Sequence, residues 1–129
     1  MNKIKVLIID DSALVRKVLA ETINSTIDIT VVGTAANPFI GRDMIVQFKP
    51  DVLLLDIEMP KMDGLEFIKS VRAEDKFKNL PVIALTSLDD EEHRQIALAA
   101  GFDYYEIKLK EQELMKTVKK ILAEARSVM

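Results

Sequence analysis

A chain of 129 residues is long enough for one domain with a substantial core. Apolar residues make up 49% and charged residues 30%, a globular balance, and a net charge of −3 with no basic run argues against nucleic-acid binding. The absence of cysteine excludes disulfides and thiolate metal sites. The opening MNKIKVLIID holds too short an apolar run for a signal peptide or a membrane span, so a cytoplasmic protein without membrane association is expected.

In chain order, short apolar runs alternate with segments of helical period. Val6–Ile9 is the first run, and Asp10-Asp11-Ser12 follows it into a predicted helix over Ser12–Asn24, which Asp11 or Ser12 could cap. Ile29–Val32 is followed by a helix over Pro38–Phe48, with proline placed for a first helical turn. Val52–Leu55 runs into Asp56, then Glu58, Met59-Pro60 and the turn pair Asp63-Gly64 before a helix over Leu65–Ala73. Pro81 opens Val82–Leu85, and Glu91–Ala100 ends at Gly101, a C-terminal cap. The weaker run Tyr104–Ile107 precedes a last helix over Glu111–Ala125.

Continuous rather than alternating apolar runs imply parallel strands covered on both faces. Five strand–helix units joined by right-handed crossovers point to an α/β fold: a flavodoxin-like, doubly wound (βα)5 three-layer sandwich with sheet order 2-1-3-4-5. One domain over 1–129 is expected. In that order the first and third strands flank the topological switch point, where ligands bind at the strands' C-terminal ends. Asp10, Asp11 and Asp56 therefore converge.

Three carboxylates together repel unless a cation joins them, and oxygen-only ligands suit Mg²⁺. The turn after the first strand lacks the glycines that let backbone amides cradle a phosphate. With a cation bound, Asp56 is a candidate nucleophile toward a phosphoryl group. Thr86, ending the fourth strand, and Lys108, following the fifth, would lie across the same rim and help to hold the product.

Together, "LIIDDS", "LLLDIEMPKMDGLEFI", "VIALTS" and "YYEIK" resemble the motifs of the response-regulator receiver domain, the CheY-like module of two-component signalling, over nearly the whole chain. The resemblance implies Asp56 as phosphoacceptor. It implies Asp10, Asp11, Asp56 and the backbone carbonyl of Glu58 as Mg²⁺ ligands, Thr86 and Lys108 on the phosphoryl oxygens, and Thr86 with Tyr105 as the switch. It further implies a sensor histidine kinase as phosphodonor and a protein partner at the face of the fourth helix, fifth strand and fifth helix (α4-β5-α5). The receiver would catalyse only its own phosphorylation and slow dephosphorylation; a monomer is expected.

The first half is similar to receivers of chemotaxis methylesterases and the second to other chemotaxis receivers. A divergent receiver and a recombined or engineered chain both fit that split. Leu109 stands where the family usually has proline, and without proline a trans bond is expected there. Two rival readings remain: a haloacid-dehalogenase-like phosphatase, which would place its nucleophile on the first strand, and a pseudo-receiver that binds partners without phosphorylation. Moving a switch from 1:99 to 99:1 takes about 5.5 kcal/mol, and one Lys108–phosphoryl contact supplies ~4 kcal/mol before desolvation. Thr86 and the metal must contribute the rest.

Overall fold

Val52-Leu53-Leu54-Leu55 has no polar face because both of its faces are covered: Val52 and Leu54 join one apolar cluster, Leu53 and Leu55 the other. The computed structural model describes residues 3–58, 64–87 and 90–108, with Lys116 and Lys120. Its elements run β1 (Ile4–Ile9), α1 (Ala13–Asn24), β2 (Ile29–Ala35), α2 (Pro38–Phe48), β3 (Val52–Asp56), α3 (Gly64–Ala73), β4 (Val82–Thr86), α4 (Glu91–Ala100) and β5 (Tyr104–Ile107). All strands are parallel, in the order β2-β1-β3-β4-β5. This is the predicted doubly wound sheet. The predicted last helix lies outside the described residues, apart from Lys116 and Lys120, which are helical.

Side chains of the central strands alternate between the two faces. Ile4, Val6 and Ile8 of β1 and Ile83 and Leu85 of β4 meet Val15, Leu19 and Ile23 of α1. Leu7, Ile9, Val82 and Ala84 meet Ile45 of α2, Phe67, Ile68 and Val71 of α3 and Ala97 of α4. Each fully buried leucine or isoleucine contributes about 1.5–3 kcal/mol by leaving water.

The helix ends follow local chemistry. Ser12 caps α1, its hydroxyl accepting from the amide of Val15, while Asn37 caps α2 ahead of Pro38 and Asp90 caps α4. Gly101 ends α4 with φ 124°, a conformation that favours glycine. On edge strand β2 the ladder continues past the expected Val32 to Ala35, and Val32 is an extra residue, since Val31 pairs with Val6 and Gly33 with Leu7.

At the N-terminal end of the sheet, Arg72 closes the α3–β4 connection. Its guanidinium donates to the carbonyls of Gly101 (3.0 Å), Phe77 (3.1 Å), Lys78 (3.2 Å) and Leu80 (2.6 Å), and pairs with Asp103 at 2.7 Å. Asp103 in turn accepts from the amide of Val82 at 2.8 Å. Hydrogen bonds to a charged group are worth about 1.5–3 kcal/mol each, and the loss of one guanidinium strands several acceptors at once. Arg72→Ala is expected to lower stability by about 3 kcal/mol with the site intact; urea unfolding beside a phosphorylation assay checks both halves.

Candidate functional site

Asp10 follows β1 directly and its amide donates to the carbonyl of Ala35, so its position is set by the sheet. Asp56 is the last residue of β3, and both acids are fully buried. Asp10 Oδ1 accepts from the amide of Ser12 at 2.8 Å, and Asp56 Oδ1 accepts from the amide of Glu58 at 2.8 Å. The remaining oxygen of each, Oδ2, has no hydrogen-bond partner. What faces both is the ammonium of Lys108, 3.3 Å from Asp10 Oδ2 and 3.0 Å from Asp56 Oδ2. Lys108 reaches this point because its backbone amide donates to the carbonyl of Thr86 at 2.7 Å, extending the β4–β5 ladder by a residue. Leu109 lies outside the described residues.

Two buried carboxylates against one ammonium leave a buried negative charge, and Asp11 adds another at the exposed rim. Burial pushes the Asp56 carboxyl up to about 6; the charge of Asp10 adds to that, while the Glu58 amide and Lys108 oppose it. Burial would lower Lys108, but Asp56 and Asp10 outweigh it and hold the ammonium above the ordinary lysine range.

One carboxylate oxygen from each of Asp10, Asp11 and Asp56 lies within 4.8 Å of the others. Ligands of a single Mg²⁺ are at most about 4.2 Å apart, twice the metal–oxygen distance. The two Oδ2 atoms, which have Lys108 as their neighbour of opposite charge, are acceptors that such an ion would satisfy. The residues fit the metal.

Thr86 is buried at the end of β4. Its hydroxyl donates to Glu58 Oε1 at 2.6 Å. Ser87 adds its amide at 3.2 Å and its hydroxyl at 3.1 and 3.0 Å from the two carboxylate oxygens. Partial burial pushes Glu58 up, but these donors outweigh it and bring the carboxyl below the ordinary glutamate range. Tyr105, half-buried, packs on the face covered by α2, α3 and α4, whereas Tyr104 packs on the α1 face with the Lys120 ammonium 5.7 Å from its ring centre. Gly64 starts α3 directly above the end of β3: a Cβ there would lie 2.6 Å from the Ile57 Cα and 2.8 Å from the Asp56 carbonyl oxygen. The glycine of the expected turn is thus required by close backbone approach. Met59 and Pro60 lie outside the described residues.

The sequence reading missed Arg16, which donates to the Asp10 carbonyl at 2.8 Å and braces the first acidic turn from α1. The acid at position 58 stands out in the sequence as a possible influence on phosphoryl lifetime, but its pairing with Thr86 and Ser87 does not. The one available signal was adjacency: a second hydroxyl beside Thr86, and an acid two residues after Asp56. A cleft of about 430 Å³, lined by Ile45, Val46, Lys49, Glu74, Phe77 and Leu80 among others, opens at the opposite end of the sheet and contains none of Asp10, Asp11, Asp56 and Glu58.

The comparisons with known proteins agree on one family. The model of the response regulator receiver domain family matches residues 6–119. The chain is a response-regulator receiver domain. The receiver is 53% identical over 88 residues to a protein-glutamate methylesterase/protein-glutamine glutaminase of Syntrophus aciditrophicus, covering 68% of this chain and 25% of that protein. It is 48% identical over 88 residues to its Escherichia coli counterpart, covering 68% and 24%. The receiver therefore spans about a quarter of the length of these relatives, whose enzymatic part lies outside the matched region.

Among solved structures it is similar to the response regulator domain of Thermotoga maritima CheB, with TM-score 0.79, 31% identity, and coverage of 95% of this chain and 96% of that one. It is also similar to the chemotaxis response regulator CheY4 of Vibrio cholerae, with TM-score 0.84, 30% identity, and coverage of 93% and 99%. Signalling by phosphoryl transfer of the chemotaxis type is consistent with both. Asp56 stands on the third strand, not the first, which separates it from the phosphatase reading. Among the described residues no helix is long and apolar enough to cross a membrane.

Proposed function

We propose that the 129 residues act as one receiver domain in which Asp56 accepts a phosphoryl group from a sensor histidine kinase, or from a small donor such as acetyl phosphate. The observation that carries this reading is the buried Asp56 carboxylate, whose Oδ2 meets the Lys108 ammonium at 3.0 Å beside the buried Asp10. A carboxylate oxygen attacks phosphorus, the new Asp56 O–P bond forms, and the donor's P–N or P–O bond breaks with its electron pair leaving on the donor. Asp10, Asp11, Asp56 and the backbone carbonyl of Glu58 would hold Mg²⁺, which would supply charge neutralisation on the transferring group.

Lys108 holds a phosphoryl oxygen, and the Thr86 hydroxyl turns to donate to another. Movement of Thr86 frees space for Tyr105 and remodels the α4–β5 face for a protein partner. Since Lys108 is already paired with Asp56 and Asp10 at rest, its differential contribution is smaller than a new contact would give. Thr86 therefore matters more to the switch than lysine arithmetic alone suggests. The reading entails a cytoplasmic location beside the kinase and no chemistry beyond self-phosphorylation and slow dephosphorylation.

Intact-mass analysis after incubation with acetyl phosphate is expected to show a single phosphoryl addition that requires both Mg²⁺ and Asp56, and Asp56→Ala is expected to show none. Persistence of the addition in Asp56→Ala would place the acceptor elsewhere. Sustained turnover of a generic phosphomonoester would instead make the protein a hydrolase.

A further inference from the structure

The carboxylate of Glu58 is held by donors from two consecutive residues of β4 and its exit, yet the chemistry proposed for Glu58 uses only its backbone carbonyl. The side chain projects from β3 to the end of β4 because its own amide is pinned to Asp56 Oδ1 at 2.8 Å. There it takes the Thr86 hydroxyl at 2.6 Å, the Ser87 amide at 3.2 Å and the Ser87 hydroxyl at 3.1 and 3.0 Å. A hydroxyl has one proton to donate. While Thr86 gives it to Glu58, it cannot give it to a phosphoryl oxygen on Asp56.

We propose that Glu58 is a latch: its carboxylate occupies the phosphoryl-sensing donors of Thr86 and Ser87 in the resting receiver, and phosphorylation of Asp56 must displace it. This deepens the reading of Asp56 as acceptor and rests on it. The latch is built for release. Glu58 is exposed, so its charge can turn out into water, whereas Thr86 is buried at the end of β4. The displaced carboxylate is also repelled by the charge of the incoming phosphoryl group, which favours release once transfer has begun. Glu58 is a positioning residue, acting on the reacting group through Thr86 and Ser87. Its consequence is a threshold: the resting state resists phosphoryl analogues more than the acceptor geometry alone requires.

The test is titration of the full chain with beryllofluoride, a phosphoryl analogue, in saturating Mg²⁺, followed by the amide resonances of Thr86 and Ser87. Glu58→Ala is expected to bind beryllofluoride about tenfold more tightly, the worth of one hydrogen bond of ordinary net strength. Glu58→Gln, which keeps an acceptor but loses the charge, is expected to fall between wild type and Glu58→Ala. In a Thr86→Ala background the gain from Glu58→Ala is expected to shrink severalfold, because the donor that Glu58 withholds from the phosphoryl group is gone and only the Ser87 contacts remain. In the free receiver, Glu58→Ala alone is expected to shift the Ser87 amide resonance. Equal gains in Gln and Ala that persist with Thr86→Ala would show charge repulsion and overturn the latch, as would unchanged or weakened binding in Glu58→Ala. If wild type and every variant fail to bind beryllofluoride, the acceptor reading falls and takes the latch with it. A latch failure alone leaves wild-type binding intact.

Discussion

In the presence of a chelator, Asp56→Asn is expected to be about 3 kcal/mol more stable than wild type at pH 7.5, and nearly equal to it near pH 4. The Asp56 carboxyl is raised from 3.8 to about 6 by burial, so the folded chain holds this proton more tightly than the unfolded chain does. Stability from the protonated form is fully present below the unfolded value of 3.8 and is lost as pH rises through about 6. Asparagine removes that loss because it never ionises. Glu58, whose carboxyl is lowered, has the opposite sign: its contribution is present at neutral pH and lost on acidification. Urea unfolding of both chains at pH 4 and 7.5 separates the two. If wild type gained as much stability as Asp56→Asn between those pH values, Asp56 would not be strained at rest.

Lys108→Met is expected to act in the reverse direction. It leaves Asp10 and Asp56 buried with no cation near their Oδ2 atoms, and removing one partner of a buried pair typically costs about 3–5 kcal/mol. The loss at pH 7.5 should be smaller near pH 4, where Asp56 takes up a proton. Mg²⁺ should restore more stability to Lys108→Met than it adds to wild type, because the competing ammonium is absent and the metal binds more tightly, by about tenfold or more. Calorimetric Mg²⁺ titration and thermal melts with and without metal check this. Weaker Mg²⁺ binding in Lys108→Met would show that Lys108 organises the acids rather than competing for them.

The sheet was legible because β1, β3 and β4 are covered on both faces and so carry unbroken apolar runs. The site was legible for a related reason. Doubly wound topology brings strand C-termini together, and Asp10, Asp56, Thr86 and Lys108 all stand at or just beyond such termini. What escaped was chemistry without a pattern. The extension of β2 through Gly33-Thr34-Ala35 lies in a half-covered edge strand where apolar periodicity fades. Arg16 acts on the carbonyl of Asp10, and a carbonyl has no sequence signature. The Glu58 side chain crosses between strands 28 residues apart, a pairing set only by how β3 and β4 align.

The arginine clasp at the N-terminal end of the sheet bears on how such a chain tolerates exchange of segments with its relatives. Four of the five acceptors of Arg72 are main-chain carbonyls, of Phe77, Lys78, Leu80 and Gly101, and only Asp103 contributes a side chain. Main-chain acceptors come with any sequence that follows the same path. A graft running from β4 to the end of the chain therefore needs one aspartate before β5 to be gripped by an arginine it did not evolve beside. The α3 side of this receiver and its β4–β5 side meet across a joint that is nearly blind to sequence.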